Sequence, residues 1–120
     1  MARNRQATRS ELPSIADDRP PSDLGEAGAA LWQRIMAEHD IEDGAVLESL
    51  HQICLTLDRA EVLAAEVKRD GPVQRLDNGQ LRDHPALKHE LAARSFVVRS
   101  LQRLGLGNES GRSVRRTGQF

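Results

Sequence analysis

Four histidines are the side chains in this sequence best suited to acid-base chemistry or metal binding. His84 and His89 are five residues apart, which places them about 500° apart around a helix, unlike the i, i+4 pair of a helical zinc motif. His39, in the tripeptide Glu-His-Asp, has no partner at ligand spacing. We expect each histidine to cap a helix or lie on the surface, and we predict that no metal is bound.

Cys54 is the only cysteine and therefore the obvious candidate nucleophile. It falls within a predicted helix, away from a helix N-terminus or an arginine-rich niche that would lower the pKa of its thiol. We predict that it is a small buried hydrophobe. The acidic residues are scattered, often with a basic residue three or four positions away, and no glycine-rich phosphate loop is present. The sequence predicts neither an enzyme nor a cofactor.

Arginines near both ends are candidates for DNA contact. Residues 1–21 carry four arginines against three acidic residues, and residues 105–120 carry three against one, although the chain has a formal net charge of -1. Such ends could neutralise DNA phosphates, and mixed charge would equally keep disordered ends in solution. The candidate phosphate contacts are Arg3, Arg5, Arg9, Arg112, Arg115 and Arg116.

The interior of the chain offers no convincing DNA-reading element. The one candidate turn of a helix-turn-helix, AEHDIEDG at residues 37–44, is rich in acidic residues that would repel phosphates. Arg94, Arg99 and Arg103 could line a basic helix face, or could be ordinary exposed residues of an amphipathic helix. Only 2% of the residues are aromatic, so stacking of bases on aromatic platforms is not expected.

The composition favours helices packed on helices. Apolar residues make up 38% of the chain with few aromatics, so the core must be aliphatic, as in an all-α fold. No apolar run approaches the roughly 20 residues that span a bilayer, and the N-terminus lacks the apolar segment of a signal peptide. We expect a cytoplasmic protein without membrane contact.

Three regions are predicted along the chain. Residues 1–21 and 108–120 are expected to be disordered tails, the second of them basic, around a helical oligomerisation domain at residues 22–107. A short helix should begin at Asp23, because Asp23 and Glu26 have capping-box spacing. One face, at i, i+3, i+4 spacing, is formed by Leu24, Ala27, Leu31, Ile35 and His39, and Trp32 and Met36 widen its apolar part.

A long helix predicted from Asp43 to Asp70 has the clearest periodicity in the sequence. Its seam steps alternately by four and three residues, as in a heptad repeat, through Val46, Leu50, Ile53, Leu57, Ala60, Ala64 and Val67. A second stripe runs through Leu47, Cys54 and Leu63. One stripe can pack inside the chain, so we expect the other to meet a second copy.

The remaining elements complete an antiparallel helical hairpin. DNG at residues 77–79 predicts a short β-hairpin-like loop. His84 and Pro85 then suit the N-cap and first position of a last helix, whose packing face contains Leu87, Leu91, Val98 and Leu101. Gly105 should end this helix in a Schellman motif, with Leu106 against Leu101.

Several motifs, taken in order, resemble the small terminase subunits of tailed bacteriophages, specifically the P27 family. They are LGEAGAALWQRI, LESLHQICLTLDRAE, a Gly-Pro break, NGQ, DHPALKHELAARS and LQRLGLG. The resemblance covers roughly residues 23–107. Its most specific positions include Trp32, His84, Pro85, Leu104, Gly105 and Leu106.

The resemblance implies a non-catalytic, ring-forming adaptor for DNA packaging. Such a protein would bind double-stranded DNA weakly or non-specifically and regulate the ATPase and nuclease of the large terminase subunit in a bacterial host cell. It would serve a phage, a prophage or a gene transfer agent. This sequence departs from the family where GNES intervenes before Arg112, and it lacks a separate DNA-binding domain. A dimeric DNA-binding regulator and a purely structural helical protein remain the alternatives.

Overall fold

The computed structural model describes residues 19–107, which form three helices and one two-stranded sheet. Both shorter helices pack against the longest one. The mostly helical fold expected from the sequence is confirmed. In chain order the elements are α1 (Glu26–Glu38), α2 (Gly44–Asp70), β1 (Val73–Arg75), β2 (Leu81–Asp83) and α3 (Pro85–Leu104).

The N-terminus of α1 is held by a residue of α2. The backbone N–H groups of Gly25 and Gly28 each donate to a carboxylate oxygen of Asp58 at 2.7 Å. These are two of the N–H groups that a helix leaves unpaired at its start, and a negative charge there is favourable. Asp23, predicted to cap α1, instead lies 2.7 Å from His51 Nε2 through its Oδ1 atom. The capping-box prediction is wrong because a carboxylate distant in sequence takes that place.

α2 begins and ends where local signals place its ends. Asp43 Oδ1 accepts a hydrogen bond from the backbone N–H of Ala45 at 2.8 Å. Gly71 follows the last turn with φ of 90°, which glycine adopts without steric cost. The predicted seam is confirmed as the packing side of α2, because none of its residues is exposed. Its buried members are Leu50, Ile53, Ala60 and Val67, and its half-buried members are Val46, Leu57 and Ala64.

The second stripe of α2 packs largely within the chain. Cys54 is fully buried in a core cluster that also contains Trp32 and Ile35 of α1, and Leu47 packs against that cluster. The expectation that this stripe needs a second copy is therefore wrong for its N-terminal part. The reason is that α1 folds back along that part of α2 and covers it.

α3 starts and stops as its sequence predicts. His84 Nδ1 accepts from the N–H of Ala86 at 3.0 Å, and Pro85 occupies the first turn. At the other end Gly105 is left-handed, with φ of 76°. Its N–H donates to the Gln102 carbonyl, and the N–H of Leu106 donates to the Leu101 carbonyl at 2.9 Å. This pattern is a Schellman motif. Leu106 is buried in the core cluster, and Leu101 packs against that cluster.

The face of α3 that packs on α2 is made of smaller residues than expected. Ala86, Val97 and Ser100 are buried, and small side chains allow two helices to approach closely. Leu91 and Val98, which were predicted to pack, are 57% and 54% exposed. The other two predicted packing residues, Leu87 and Leu101, are half-buried. Leu91 and Val98 therefore contribute little to packing within the chain, and contact with another molecule remains a prediction for them.

A short β-hairpin joins α2 to α3, as DNG predicts. Val73 pairs with Asp83, and Arg75 pairs with Leu81, in an antiparallel register. Asn78 and Gly79 are both residue types that tolerate positive φ, and only Gly79 adopts it, with φ of 89°. Asn78 instead accepts a hydrogen bond from the N–H of Gln80 at 2.9 Å through its side chain.

Candidate interaction surface

The helical hairpin formed by α2, the β-strands and α3 carries the exposed large apolar side chains of residues 19–107. Several exposed large apolar side chains on one unit of structure make it a candidate for contact with another molecule, whereas single exposed apolar residues are ordinary. Three of the six lie on α3 and one on α2, and the other two are on opposite strands of the β-hairpin. They are Val62, Val73, Leu81, Leu91, Phe96 and Val98. The hairpin is therefore the candidate interaction surface.

Two half-open cavities are lined by residues of α3. One, of about 310 Å³, is lined by Leu87, Lys88 and Leu91 together with the start of the helix. The other, of about 330 Å³, lies between α2 and the C-terminal half of α3, with Ile53 and Phe96 among its lining residues. Each is lined by both apolar and polar side chains, and surfaces that contact other proteins combine the two.

The charges on α3 divide into a paired and a solvent-facing group. Arg94 lies 2.8 Å from Glu90 and 3.1 Å from Glu61 of α2. The hydrogen bond with Glu90, reinforced by Glu61, raises the pKa of Arg94. Arg94 therefore links α3 to α2 through an ion pair, unlike the other arginines of α3, which are exposed. The exposed basic residues of α3 are Lys88, Arg99 and Arg103.

His84 joins the end of α2 to the start of α3. Because its Nδ1 atom accepts from Ala86, its Nε2 atom carries the proton and donates to Asp70 Oδ2 at 2.9 Å. Its own backbone N–H donates to the Pro72 carbonyl at 2.8 Å. Hydrogen bonds from Arg69 first, and then from His84, lower the pKa of Asp70. The His-Pro pair thus fixes how the two long helices meet.

The other histidines are separated in the structure. His51 touches Asp23, and its ring meets the edge of Trp32 at a centroid distance of 6.5 Å. His89 is exposed on α3, and His39 caps the end of α1. Within residues 19–107 no group of three potential ligands could hold a metal ion.

Cys54 has the environment of a core residue. Burial, and secondarily the nearby charge of Asp58, raises the pKa of the Cys54 thiol to about 12. The thiol therefore stays protonated at neutral pH, and a protonated thiol is a poor nucleophile.

The positions that carry the family resemblance are structural. Trp32 and Leu106 belong to the core cluster and Leu104 packs against it. His84, Pro85 and Gly105 form the two ends of α3. The candidate DNA contacts Arg3, Arg5, Arg9, Arg112, Arg115 and Arg116 lie outside the described residues. Among those residues, no helix is long and apolar enough to cross a membrane.

Sequence reasoning overlooked Asp58 and Val62. Asp58 caps a helix that lies 30 residues or more away in the chain, and no local pattern announces such a contact. Val62, 59% exposed, belongs to neither stripe assigned on α2, and its distance of seven residues from Leu55 was the available signal. No family model, curated protein or solved structure matches this chain.

Proposed function

We propose that this protein is a small terminase subunit: a non-catalytic adaptor that forms a ring, engages double-stranded DNA and regulates the ATPase and nuclease of a large terminase subunit. Its place of action would be the cytoplasm of a bacterial cell, during DNA packaging by a phage, prophage or gene transfer agent. The ordered motifs between Leu24 and Leu106 support this proposal through the family resemblance.

The observation that carries the proposal is the exposed apolar surface of the hairpin. Val62, Leu91 and Val98 are each more than half exposed on well-formed helices, although hydrophobic burial is the main stabilising contribution in a small domain. Contact with further copies would remove these side chains from water. A ring satisfies every copy equally, because each one offers the same surfaces to its two neighbours.

DNA engagement would be electrostatic. The tail arginines would supply phosphate contacts, and Arg99 and Arg103 add positive charge on the exposed side of α3. Contacts of this kind neutralise phosphates without reading bases, so binding should be weak at physiological salt and should weaken further as salt rises.

Native mass spectrometry of the full chain tests the assembly. We expect one closed, cyclic oligomer, of more than about four subunits. A stable monomer at micromolar concentration would overturn the proposal. A dimer that protects one short operator from nuclease would favour the dimeric DNA-binding regulator instead.

Regulation is tested with the large terminase subunit encoded by the same genome. Adding the oligomer should change the ATPase rate of the large subunit in the presence of linear double-stranded DNA. An ATPase rate that is the same with and without the oligomer, at saturating concentrations, would contradict the adaptor role.

A further inference from the structure

Two pairs of apolar residues face away from the seam between α2 and α3. Leu55 and Val62 lie seven residues apart on α2, and Leu91 and Val98 lie seven residues apart on α3. Seven residues are nearly two helical turns, so each pair forms a short stripe on one face. Leu55 is half-buried, and the other three are more than half exposed.

Helix geometry shows that neither stripe can be covered by the other helix of its own hairpin. Leu55 and Val62 each follow a buried seam residue, Ile53 and Ala60, by two positions. Two positions turn a helix by about 200°, so both side chains point to the opposite side. On α3, Val98 stands in the same relation to buried Ser100, and Leu91, seven positions earlier, shares its face.

The two stripes lie at the same height along the hairpin. The contacts of Arg94 with Glu61 and of His84 with Asp70 fix the antiparallel register of α3 against α2. Counted from these contacts, Leu91 lies within about two residues, or about 3 Å, of the level of Val62. Because both stripes have the same spacing, the offset between Val98 and Leu55 is equally small.

We propose that α3 of one copy packs antiparallel along α2 of the next, with Leu91 against Val62 and Val98 against Leu55. The inference rests on the proposed ring and specifies which faces form it. If the ring axis runs parallel to the helical hairpin, each residue lies at the same height in neighbouring copies. Two stripes at equal height can therefore meet between copies. Because the two stripes occupy different helices, the contact is heterologous and can close into a ring.

The charges beside the stripes fit this pairing. Lys88, one turn before Leu91, comes level with Glu66, one turn after Val62. Overall, α2 carries five acidic and three basic residues, whereas α3 carries four basic residues and one acidic residue. Complementary surfaces of this kind favour one orientation and register over others. The occupant that fits the α3 stripe is therefore the α2 stripe of a second copy.

Paired cysteine substitutions test the register directly. In the full chain carrying Leu91→Cys and Val62→Cys, mild oxidation should give a ladder of covalent oligomers, because the two Cα atoms would lie within the roughly 7 Å that a disulfide allows. The matched control combines Leu91→Cys with Leu55→Cys, whose levels differ by about 12 Å. The control should give at least fivefold less cross-linked product. Equal ladders, or none for Leu91 with Val62, would overturn the pairing.

Charge reversal provides a second readout that does not depend on oxidation. Lys88→Glu should shift the native mass distribution to smaller species, and adding Glu66→Lys in the same chain should restore the large species. Lys88 is exposed and Glu66 is half-buried, and circular dichroism checks that folding is retained. Failure of the double variant to regain mass would count against this interface. If the unsubstituted protein is monomeric, the proposed function fails. If it forms a ring that these variants leave intact, only the assigned faces are wrong.

Discussion

At residue 58 a carboxylate of α2 receives two hydrogen bonds from the start of α1, and the space around that carboxylate is filled. A Cβ atom on Gly28 would overlap the Asp58 carboxylate and approach the Cys54 carbonyl oxygen to 2.7 Å. Since backbone atoms cannot move aside easily, this position tolerates only glycine. The close approach of α1 to α2 therefore depends on Gly28 and Asp58 together.

Replacing Gly28 by alanine should destabilise the protein by about 1–3 kcal/mol, the usual cost of overpacking a close contact. Gly44→Ala is the matched control, because a Cβ atom there meets nothing within 4 Å and alanine has the higher helix propensity. Urea unfolding followed by circular dichroism compares the two. Equal free energies of unfolding would mean that α1 does not sit as tightly as the structure shows.

Cys54 should make the stability of the fold sensitive to alkaline pH. Its folded pKa of about 12 lies above the ordinary value of 9.0, so the stabilisation it contributes is complete below pH 9 and is lost as pH rises toward 12. Within that window the loss is at most about 1.4 kcal/mol per pH unit. Cys54→Ala, which cannot ionise, should show a shallower decline in the free energy of unfolding from pH 8.5 to 10.5. If the free energy of unfolding of both proteins declined equally with pH, the raised pKa of Cys54 would be contradicted.

At the scale of elements, helix ends were predictable and helix faces were only partly so. Asp43, the His84-Pro85 pair and Gly105 act on the backbone within a few residues, so their effect can be read locally. The cap of α1 could not be, because Asp58 comes from another helix. The buried face of α3 was only partly predicted, because Ala86 and Ser100 pack well by being small, whereas ranking by hydrophobicity selects Leu91 and Val98. The pairing of the α2 stripe with the α3 stripe could not be predicted from the sequence, because it depends on the antiparallel register of α3 against α2 in the folded protein.

Leu106→Asp should destabilise the end of α3 and the core beneath it. Leu106 is 7% exposed within the cluster around Trp32, and burying a carboxylate in place of a leucine should cost about 2–5 kcal/mol. Leu81→Asp makes the same exchange at a side chain that is 60% exposed and should change little. Thermal unfolding of both variants decides the matter. An unchanged melting temperature for Leu106→Asp would show that the apolar contact of Leu106 does not stabilise the Schellman motif.

At the scale of the whole molecule, the charge is unevenly distributed. Between the tails, acidic residues outnumber basic ones, yet α3 is basic. A ring that joins α3 to α2 would use some of this positive charge between copies and leave Arg99, Arg103 and the tails for DNA. Assembly and DNA binding would then depend on separate sets of residues, so they can be varied independently.

The salt dependence of DNA binding should report on the C-terminal arginines. If Arg112, Arg115 and Arg116 each neutralise one phosphate, replacing all three with alanine should reduce the slope of log K against log salt by about 0.9 per contact. Arg34→Ala, on the exposed side of α1 where Arg34 pairs with Glu38, should leave the slope unchanged. Fluorescence anisotropy with a DNA duplex at several salt concentrations measures it. An unaltered slope in the triple variant would exclude the C-terminal tail from DNA binding.

The position of Asp58 also bears on the order in which this chain folds during its synthesis. Residue 25 leaves the ribosome 33 residues before the side chain that holds it, and an isolated helix of 13 residues is marginal in water. We therefore expect α1 to stay unfolded on the nascent chain until α2 has emerged past residue 58. α1 would then become stable only after the part of α2 that holds it has been synthesised.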